Sequence, residues 1–459
     1  MNSRRVIPVI GLQWGDEGKG KGVARIASKL GSQDLIVRFQ GGNNAGHTIW
    51  HGGQCYVFHL IPSGVFGRAQ IHLGAGMVIN PAALEKEARM IPKGVSFLSR
   101  MSVSPHAIIT LPTHLLLDSV SEKIRGRQKI GSTGKGISPS YTDLVLRRAL
   151  RVGDITQKDF KKKYCALREE HKKTLKIQFG YKTNDKKLKK EEKDFFKGIK
   201  FLKSIPVIQS ATMVKKALLG NHQVIAEGAQ GALLDIRFGH YPFVTSSHTI
   251  ASGVGTGLGL PPSIIGKSIG IFKAYTTKVG EGPFPTELGG EKSATWCRDK
   301  KITEEKKKFP SPDPNAKDEF EQGIALRALG GEIGATTGRL RRTGWLDIPL
   351  LRYAISMNDA NKLILAKLDV LNGFKKIKVC TSYIIAGKET TEIPFDMSQL
   401  KIKPRYKIFP GWEGKLSDYS PILPKEAVNY IRYIEQALGV KIIYVGTGPE
   451  EHHVMERFW

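Results

Sequence analysis

A short β-branched run, Val6-Ile7-Pro8-Val9-Ile10, leads into Gly11-Leu12-Gln13-Trp14-Gly15-Asp16-Glu17-Gly18-Lys19-Gly20-Lys21-Gly22. Residues 23–30 follow with the apolar spacing of a helix. Strand, glycine-rich turn and helix form the layout of a phosphate cradle. Glycines let backbone N–H groups approach phosphate oxygens, and the helix N-terminus adds the positive end of a dipole. Gly15, Gly20 and Lys21 nearly meet the Walker A spacing, but Gly22 stands where Ser or Thr should hold Mg²⁺. Asp16 and Glu17 lie inside the turn, where a carboxylate is costly unless it binds a metal or moves a proton. The plainer alternative is a tight turn with no ligand. The acidic pair and the lysines favour the phosphate reading.

At 459 residues the chain can bury a large core, as one elaborated α/β unit or as two to three domains. No apolar run reaches membrane-spanning length, and Arg4-Arg5 leads straight into the first strand without a signal-peptide pattern. Cys55, Cys165, Cys297 and Cys380 show no CxxC spacing, so free thiols in a reducing cytoplasm are expected. The net charge of +29 admits nucleic acid or small anionic substrates as partners. Because the basic residues are not interleaved with aromatics, RNA binding is disfavoured as the main function.

Further strands separated by small-residue loops recur along the chain. Residues 35–39 read as a second strand, closing a βαβ unit with the first. After it comes Gln40-Gly41-Gly42-Asn43-Asn44-Ala45-Gly46-His47-Thr48, in which His47 is the only strong proton handle. Residues 70–78 read as strand and turn, and residues 80–90 as a helix with Asn80 as N-cap and Pro81 in its first turn. Gly131-Ser132-Thr133-Gly134-Lys135-Gly136 offers hydroxyls and N–H groups to an anion. Arg147, Arg148 and Arg151 follow, with a solvated helix face as their bland reading.

Residues 158–203 are lysine-rich with a recurring apolar stripe and read as exposed helices. Strands are expected at residues 223–227 and 268–274, while residues 289–333 read as an extended surface excursion. Residues 334–345 place two threonines and three arginines on glycine hinges, which suits a mobile anion clamp. Lys367-Leu368-Asp369 ends another strand, and an Asp there can accept the guanine N1–H and 2-amino hydrogens while the Lys stem covers the ring. A last strand and turn is expected at residues 442–449. The alternation argues for an α/β fold: a large, mainly parallel central sheet with flanking helices, P-loop-NTPase-like, with helical and loop subdomains.

These stretches, with Phe58-His59-Leu60-Ile61-Pro62-Ser63-Gly64, Glu227-Gly228-Ala229-Gln230-Gly231, residues 241–247, and Gly282-Pro283-Phe284-Pro285-Thr286-Glu287-Leu288, resemble the adenylosuccinate synthetases nearly end to end. The resemblance implies one synthetase domain over residues 1–459, joining L-aspartate to IMP at the expense of GTP with Mg²⁺. It implies Asp16 as the general base that takes the IMP N1 proton and His47 as the general acid. Mg²⁺ would lie on Asp16 and the Gly46 carbonyl.

IMP and aspartate would be held by Asp16, Glu17, Gly18, Lys19, Asn44, Ala45, Gly46, His47, Ser132, Thr133, Arg147, Gln230, Thr245, Ala335, Thr336, Thr337, Gly338, Arg339 and Arg341. GTP would meet Gly15, Asp16, Glu17, Gly18, Lys19, Gly20, Lys21, Gly46, His47, Thr48, Arg341, Lys367, Leu368, Asp369, Gly446, Thr447 and Gly448. A cytoplasmic homodimer with Arg147 shared across its interface is also implied. Ser132, Lys135 and Gly446 stand where the family pattern leads one to expect Thr, Arg and Ser, and the segment between Leu288 and Gly334 is longer than expected. A plain GTPase switch is the nearest rival, but it would want a hydroxyl after Lys21 and does not explain Asp16. A non-enzymatic RNA-binding protein, suggested by charge alone, is the other.

Overall fold

Val6–Gly11 forms a strand because its β-branched residues are buried on both faces, as parallel-sheet strands require. It is one of nine strands hydrogen-bonded in the order Val454–Glu456, Lys441–Gly446, Ala360–Ala366, Ser268–Lys273, Val6–Gly11, Val224–Glu227, Leu35–Arg38, Gln70–Leu73, Met101–Val103. Lys441–Gly446, Ala360–Ala366 and Ser268–Lys273 pair parallel, as do the strands from Val6–Gly11 to Met101–Val103, and Val454–Glu456 returns antiparallel. The computed structural model describes residues 5–126, 129–334, 338–414, 416 and 422–457. Leu35–Arg38 does not pair with the first strand as a simple βαβ unit would. Val224–Glu227 inserts between them, with Val6 opposite Val224 on one side and Leu35 opposite the same residue on the other.

Two compact units are formed, one of Met1–Val9, Val23–Ala229 and Thr245–Gly266, the other of Ile10–Gly22, Gln230–Val244 and Lys267–Trp459. In the first, helix Pro81–Met90 starts at Asn80, whose side chain accepts from the Ala83 N–H at 3.1 Å. The lysine-rich block forms helices Phe160–Phe179 and Asp185–Leu202. Their charged faces are exposed, and Tyr164, Leu167, Phe195, Ile199 and Leu202 join the unit's main core. Gly198 lets the second helix press on Pro81, because a Cβ there would lie 2.3 Å from the Pro81 carbonyl carbon.

Helix Lys19–Ala27 begins inside the glycine turn. Gly22 has a packing reason: a Cβ at that position would lie 2.6 Å from Ile271 Cδ1. A hydroxyl-bearing side chain there would have to displace that methyl.

Residues 289–333 contain helices Gly290–Asp299, Ile302–Lys308 and Glu319–Gly330, so they are more than a surface excursion. Phe320, Ile324 and Leu326 are core residues, and Arg327 is buried on Glu305 with N–O distances of 2.7 to 3.1 Å. A separate sheet pairs Lys376–Ile385 antiparallel with Ile402–Pro410. No helix among the described residues is long and apolar enough to cross a membrane.

Candidate active site

The glycine turn takes its shape from Glu17. This fully buried carboxylate accepts the Gln13 and Gly15 N–H groups at 3.0 and 2.8 Å and pairs with Lys19 Nζ at 2.5 Å. Glu17 and Lys19 therefore spend their charges on each other beneath the turn, and any contact Glu17 makes with a ligand is left to its backbone. Gln13 ties the turn to the neighbouring strand, donating to the Tyr275 carbonyl at 2.9 Å and accepting the Lys273 N–H at 3.0 Å. Gly15, Asp16 and Gly18 have φ of 86°, 60° and 83°. Asp16 is thus a non-glycine residue in the left-handed region, a strained conformation of the kind that gathers at functional sites. Its side chain is 28% exposed, and its Oδ2 forms an ion pair with Arg341 Nε at 2.7 Å.

Lys21 does not extend freely from the cradle. Its Nζ donates to the carbonyls of Gly448 and His453 at 2.6 and 2.8 Å, joining the turn to the loop beyond Gly446. Burial pushes its ammonium down to about 8, against the pull of Asp369 and Glu450. Asp369 Oδ1 is buried without a hydrogen-bond partner, and burial raises its carboxyl above the ordinary range. Lys367 takes a left-handed φ of 58° and donates to the Gly330 carbonyl at 2.7 Å.

Thr447 is buried, with its N–H on the His453 carbonyl at 3.0 Å, and Leu368 lies in the core. At Gly446 a Cβ would come within 3.3 Å of Lys367 N, so the Ser expected there would be tightly fitted. Gln230 has a φ of 58°, and both its amide oxygen and its amide nitrogen are buried without partners. The clamp loop is pinned at its base, where the Gly334 N–H donates to the Arg339 carbonyl at 2.8 Å and Gly338 has a φ of 66°. Ala335, Thr336 and Thr337 lie outside the described residues. Arg341 is braced from behind, since its carbonyl accepts from Arg327 NH1 at 2.9 Å.

In the other unit, His47 opens strand His47–His51 and places Nδ1 2.5 Å from Glu227 Oε1. Glu227 also accepts the Ser63 N–H at 2.8 Å and the Ser63 hydroxyl at 2.5 Å. Burial pushes the Glu227 carboxyl up, but the His47 hydrogen bond and charge, Arg38 and Ser63 outweigh it and hold the group below its ordinary value. A buried carboxylate on Nδ1 fixes the ring and stabilises its protonated form. Asn44 Nδ2 reaches Thr245 Oγ1 at 3.4 Å, bringing two expected IMP contacts together. Ala45 is buried, Gly46 half-buried, and Thr48 exposed on the hairpin.

The Ser132 hydroxyl donates to Asp118 at 2.5 Å, and the Gly131 and Ser132 N–H groups donate to Glu122 at 2.5 and 3.1 Å. That loop is thus braced by helix Pro112–Ile124, with Thr133 half-buried beside it. Arg147 is exposed with a left-handed φ of 60°. Arg148, by contrast, is an anchor, paired with Asp143 and Glu170 at 2.8 Å each.

Among the described residues, His114, Asp143 and His171 form a buried group with metal-ligand chemistry. Their hydrogen bonds argue against a metal. The Leu111 N–H donates to His114 Nδ1 at 2.9 Å, so the ring proton sits on Nε2, which donates to Asp143 at 2.7 Å. His171 Nε2 donates to the same oxygen at 2.8 Å. The trio is a closed structural network.

A family model described as adenylosuccinate synthetase matches residues 8–455. The chain belongs to the adenylosuccinate synthetase family. The adenylosuccinate synthetase of Christiangramia forsetii is 44% identical over 454 residues, covering 98% of this chain and 99% of its own. That of Porphyromonas gingivalis is 41% identical over 457 residues, covering 99% of each. A solved structure of fully ligated adenylosuccinate synthetase from Plasmodium falciparum superposes with a TM-score of 0.85 at 33% identity, covering 99% of this chain and 100% of that one. As an adenylosuccinate synthetase the chain is a ligase, and it makes adenylosuccinate from IMP in purine biosynthesis.

Two contributors to these clusters carry no functional signal of their own in the sequence. Glu227 was visible only as part of a motif, and its partner His47 lies far away in the chain. Glu332, which gathers Arg341 and Lys367, follows a helix in a segment that reads as polar surface.

Proposed function

We propose that the ligation is driven by GTP through a 6-phosphoryl-IMP intermediate. Asp16 takes the N1 proton of IMP, O6 attacks the γ-phosphorus, and GDP leaves. The aspartate amine then attacks C6, the C6–O6 bond breaks, and phosphate leaves with O6. His47, charged through Glu227, donates toward the transferred phosphoryl oxygens and offsets their negative charge.

The observation that carries the nucleotide choice is Asp369. Its buried, unpartnered Oδ1 suits the N1–H of guanine, which adenine lacks. Gln230, with an unpartnered amide donor and acceptor, suits the hypoxanthine edge of IMP in the same way. IMP is further assigned to Asn44, Ser132, Thr133, Thr245 and Arg339, and aspartate to residues 335–341. The GTP phosphates are assigned to the N–H groups of the turn, with Lys21 released from its carbonyl partners to meet them.

Asp16 and the Gly46 carbonyl are hard oxygen donors of the kind Mg²⁺ selects, and the partly exposed Asp16 carboxylate leaves room for an ion that keeps several waters. When bound, Mg²⁺ would neutralise charge on the phosphoryl oxygens.

The whole chain, residues 1–459, serves this one reaction in the cytoplasm. The lysine-rich block 158–203 stands apart from the chemistry, and segment 289–333 supports it through Arg327. A homodimer fits Arg147, whose exposed side chain lies beside the exposed apolar Val145 and Leu146. The test is phosphate release from the full chain with IMP, L-aspartate and Mg²⁺. Release should require GTP, IMP and aspartate together and run at least about fivefold faster with GTP than with ATP, since an unpaired buried acceptor costs about 1–3 kcal/mol. Equal use of ATP would overturn the assignment of Lys367 and Asp369.

A further inference from the structure

Glu332 is fully buried and sits where four side chains converge. Its Oε1 accepts from Lys367 Nζ at 2.8 Å, from Lys273 Nζ at 3.2 Å and from the Tyr275 hydroxyl. Its Oε2 accepts from Arg341 NH1 at 2.6 Å, and its backbone carbonyl accepts the Arg341 N–H at 3.0 Å. Arg341 turns its other edge to Asp16.

A buried ionic cluster of this kind is a poor source of stability, because well-packed apolar residues of the same volume commonly do as well or better. What the cluster does secure is geometry. One carboxylate fixes the arginine assigned to aspartate and phosphate and, through its other oxygen, the lysine assigned to the guanine ring. Burial pushes the Glu332 carboxyl up, but Lys273, Lys367 and Arg341 together hold it well below the usual carboxylate range, so it stays an acceptor.

We propose that Glu332 is a positioning residue that sets Arg341 and Lys367 together and so couples the aspartate and GTP subsites. The proposal rests on the site assignment given above. It explains why Arg341 is held on three sides, by Glu332, by Asp16 and through its carbonyl by Arg327. A guanidinium held only by Asp16 could swing with that carboxylate when substrates arrive. With Glu332 in place, one buried carboxylate restrains both Arg341 and Lys367.

The test is Glu332→Gln in the full chain, with steady-state kinetics varying each substrate in turn. The amide keeps the shape and one acceptor, but it places an N–H donor among donors. The expected result is a rise of about tenfold or more in both the aspartate and the GTP KM, with the IMP KM changed by less than about twofold. A purely structural role would reduce the folded fraction, lowering kcat and leaving every KM in place. That result, or a change in only one of the two KM values, overturns the proposal.

If Glu332→Gln does not fold, Tyr275→Phe removes a single donor to Oε1. Both KM values should then rise together by about two- to twelvefold, the loss expected for one hydrogen bond, and no joint rise overturns the proposal. Wild-type turnover with ATP as fast as with GTP would sink the base assignment alone. The coupling would then be judged from the same two KM values measured with ATP.

Discussion

Replacing Glu227 by Gln separates the chemistry of His47 from its position. The carboxylate sits 2.5 Å from His47 Nδ1 and also accepts twice from Ser63. Gln can still accept the Ser63 N–H with its oxygen, but its NH₂ then points at a ring nitrogen that was donating. The ring loses the anion that stabilises its charged form. A charge-assisted hydrogen bond contributes about 1.5–3 kcal/mol, and at about 1.4 kcal/mol per decade kcat should fall about 10- to 150-fold.

Each KM should stay within about twofold, because His47 acts as charge develops in the transition state. Stability should fall as well. Buried Arg38, whose Nε and NH2 have no hydrogen-bond partner, loses the facing charge of Glu227. Activity is therefore normalised to active sites counted by single-turnover consumption of IMP. A kcat per active site within about threefold of wild type would refute the coupling of His47 to Glu227.

Asp16→Asn should abolish turnover while leaving Mg²⁺-free GTP binding, followed by calorimetry, near the wild-type value, since the amide keeps the turn but cannot take a proton. Turnover near normal would remove Asp16 as the base. Asp347 caps helix Ile348–Asn358, and burial raises its carboxyl to about 7 against hydrogen bonds from Tyr383 and the Leu350 N–H. A folded-state value above the unfolded one means that its contribution is complete at low pH and is lost as pH rises through about 7. Asp347→Asn should therefore flatten the fall in melting temperature between about pH 4 and pH 7, and an unchanged slope would contradict this.

The sequence was most readable where one local pattern carried one job. Val6–Gly11, Asn80 as an N-cap and the strands near 224, 268 and 442 follow from short-range signals that the fold obeys. Gly22 looks like a defect in a phosphate motif because the neighbour it packs on, the methyl of Ile271, lies far along the chain. Glu17 looked like a ligand-facing carboxylate because its real partners, the N–H groups of Gln13 and Gly15, are backbone atoms that no composition reveals. The insertion of Val224–Glu227 between the first two strands is a long-range pairing, invisible in a local βαβ pattern. Segment 289–333 reads as surface because its charges outnumber its apolar residues, yet Arg327 and Glu305 neutralise each other and go inside. The sheet of Lys376–Ile385 and Ile402–Pro410 carries only the tight Ala386-Gly387 turn, a structural signal and not a functional one.

The central claim is that O6 of IMP is phosphorylated before aspartate displaces it. IMP carrying oxygen-18 at O6 is incubated with the full chain, GTP, L-aspartate and Mg²⁺, and the released phosphate is analysed by mass spectrometry. Attack of O6 on the γ-phosphorus, followed by cleavage of the C6–O6 bond, carries the label into phosphate. The account predicts one labelled oxygen in each phosphate released with adenylosuccinate. Unlabelled phosphate accompanying adenylosuccinate formation would contradict it, because GTP hydrolysis and ligation would then be separate events.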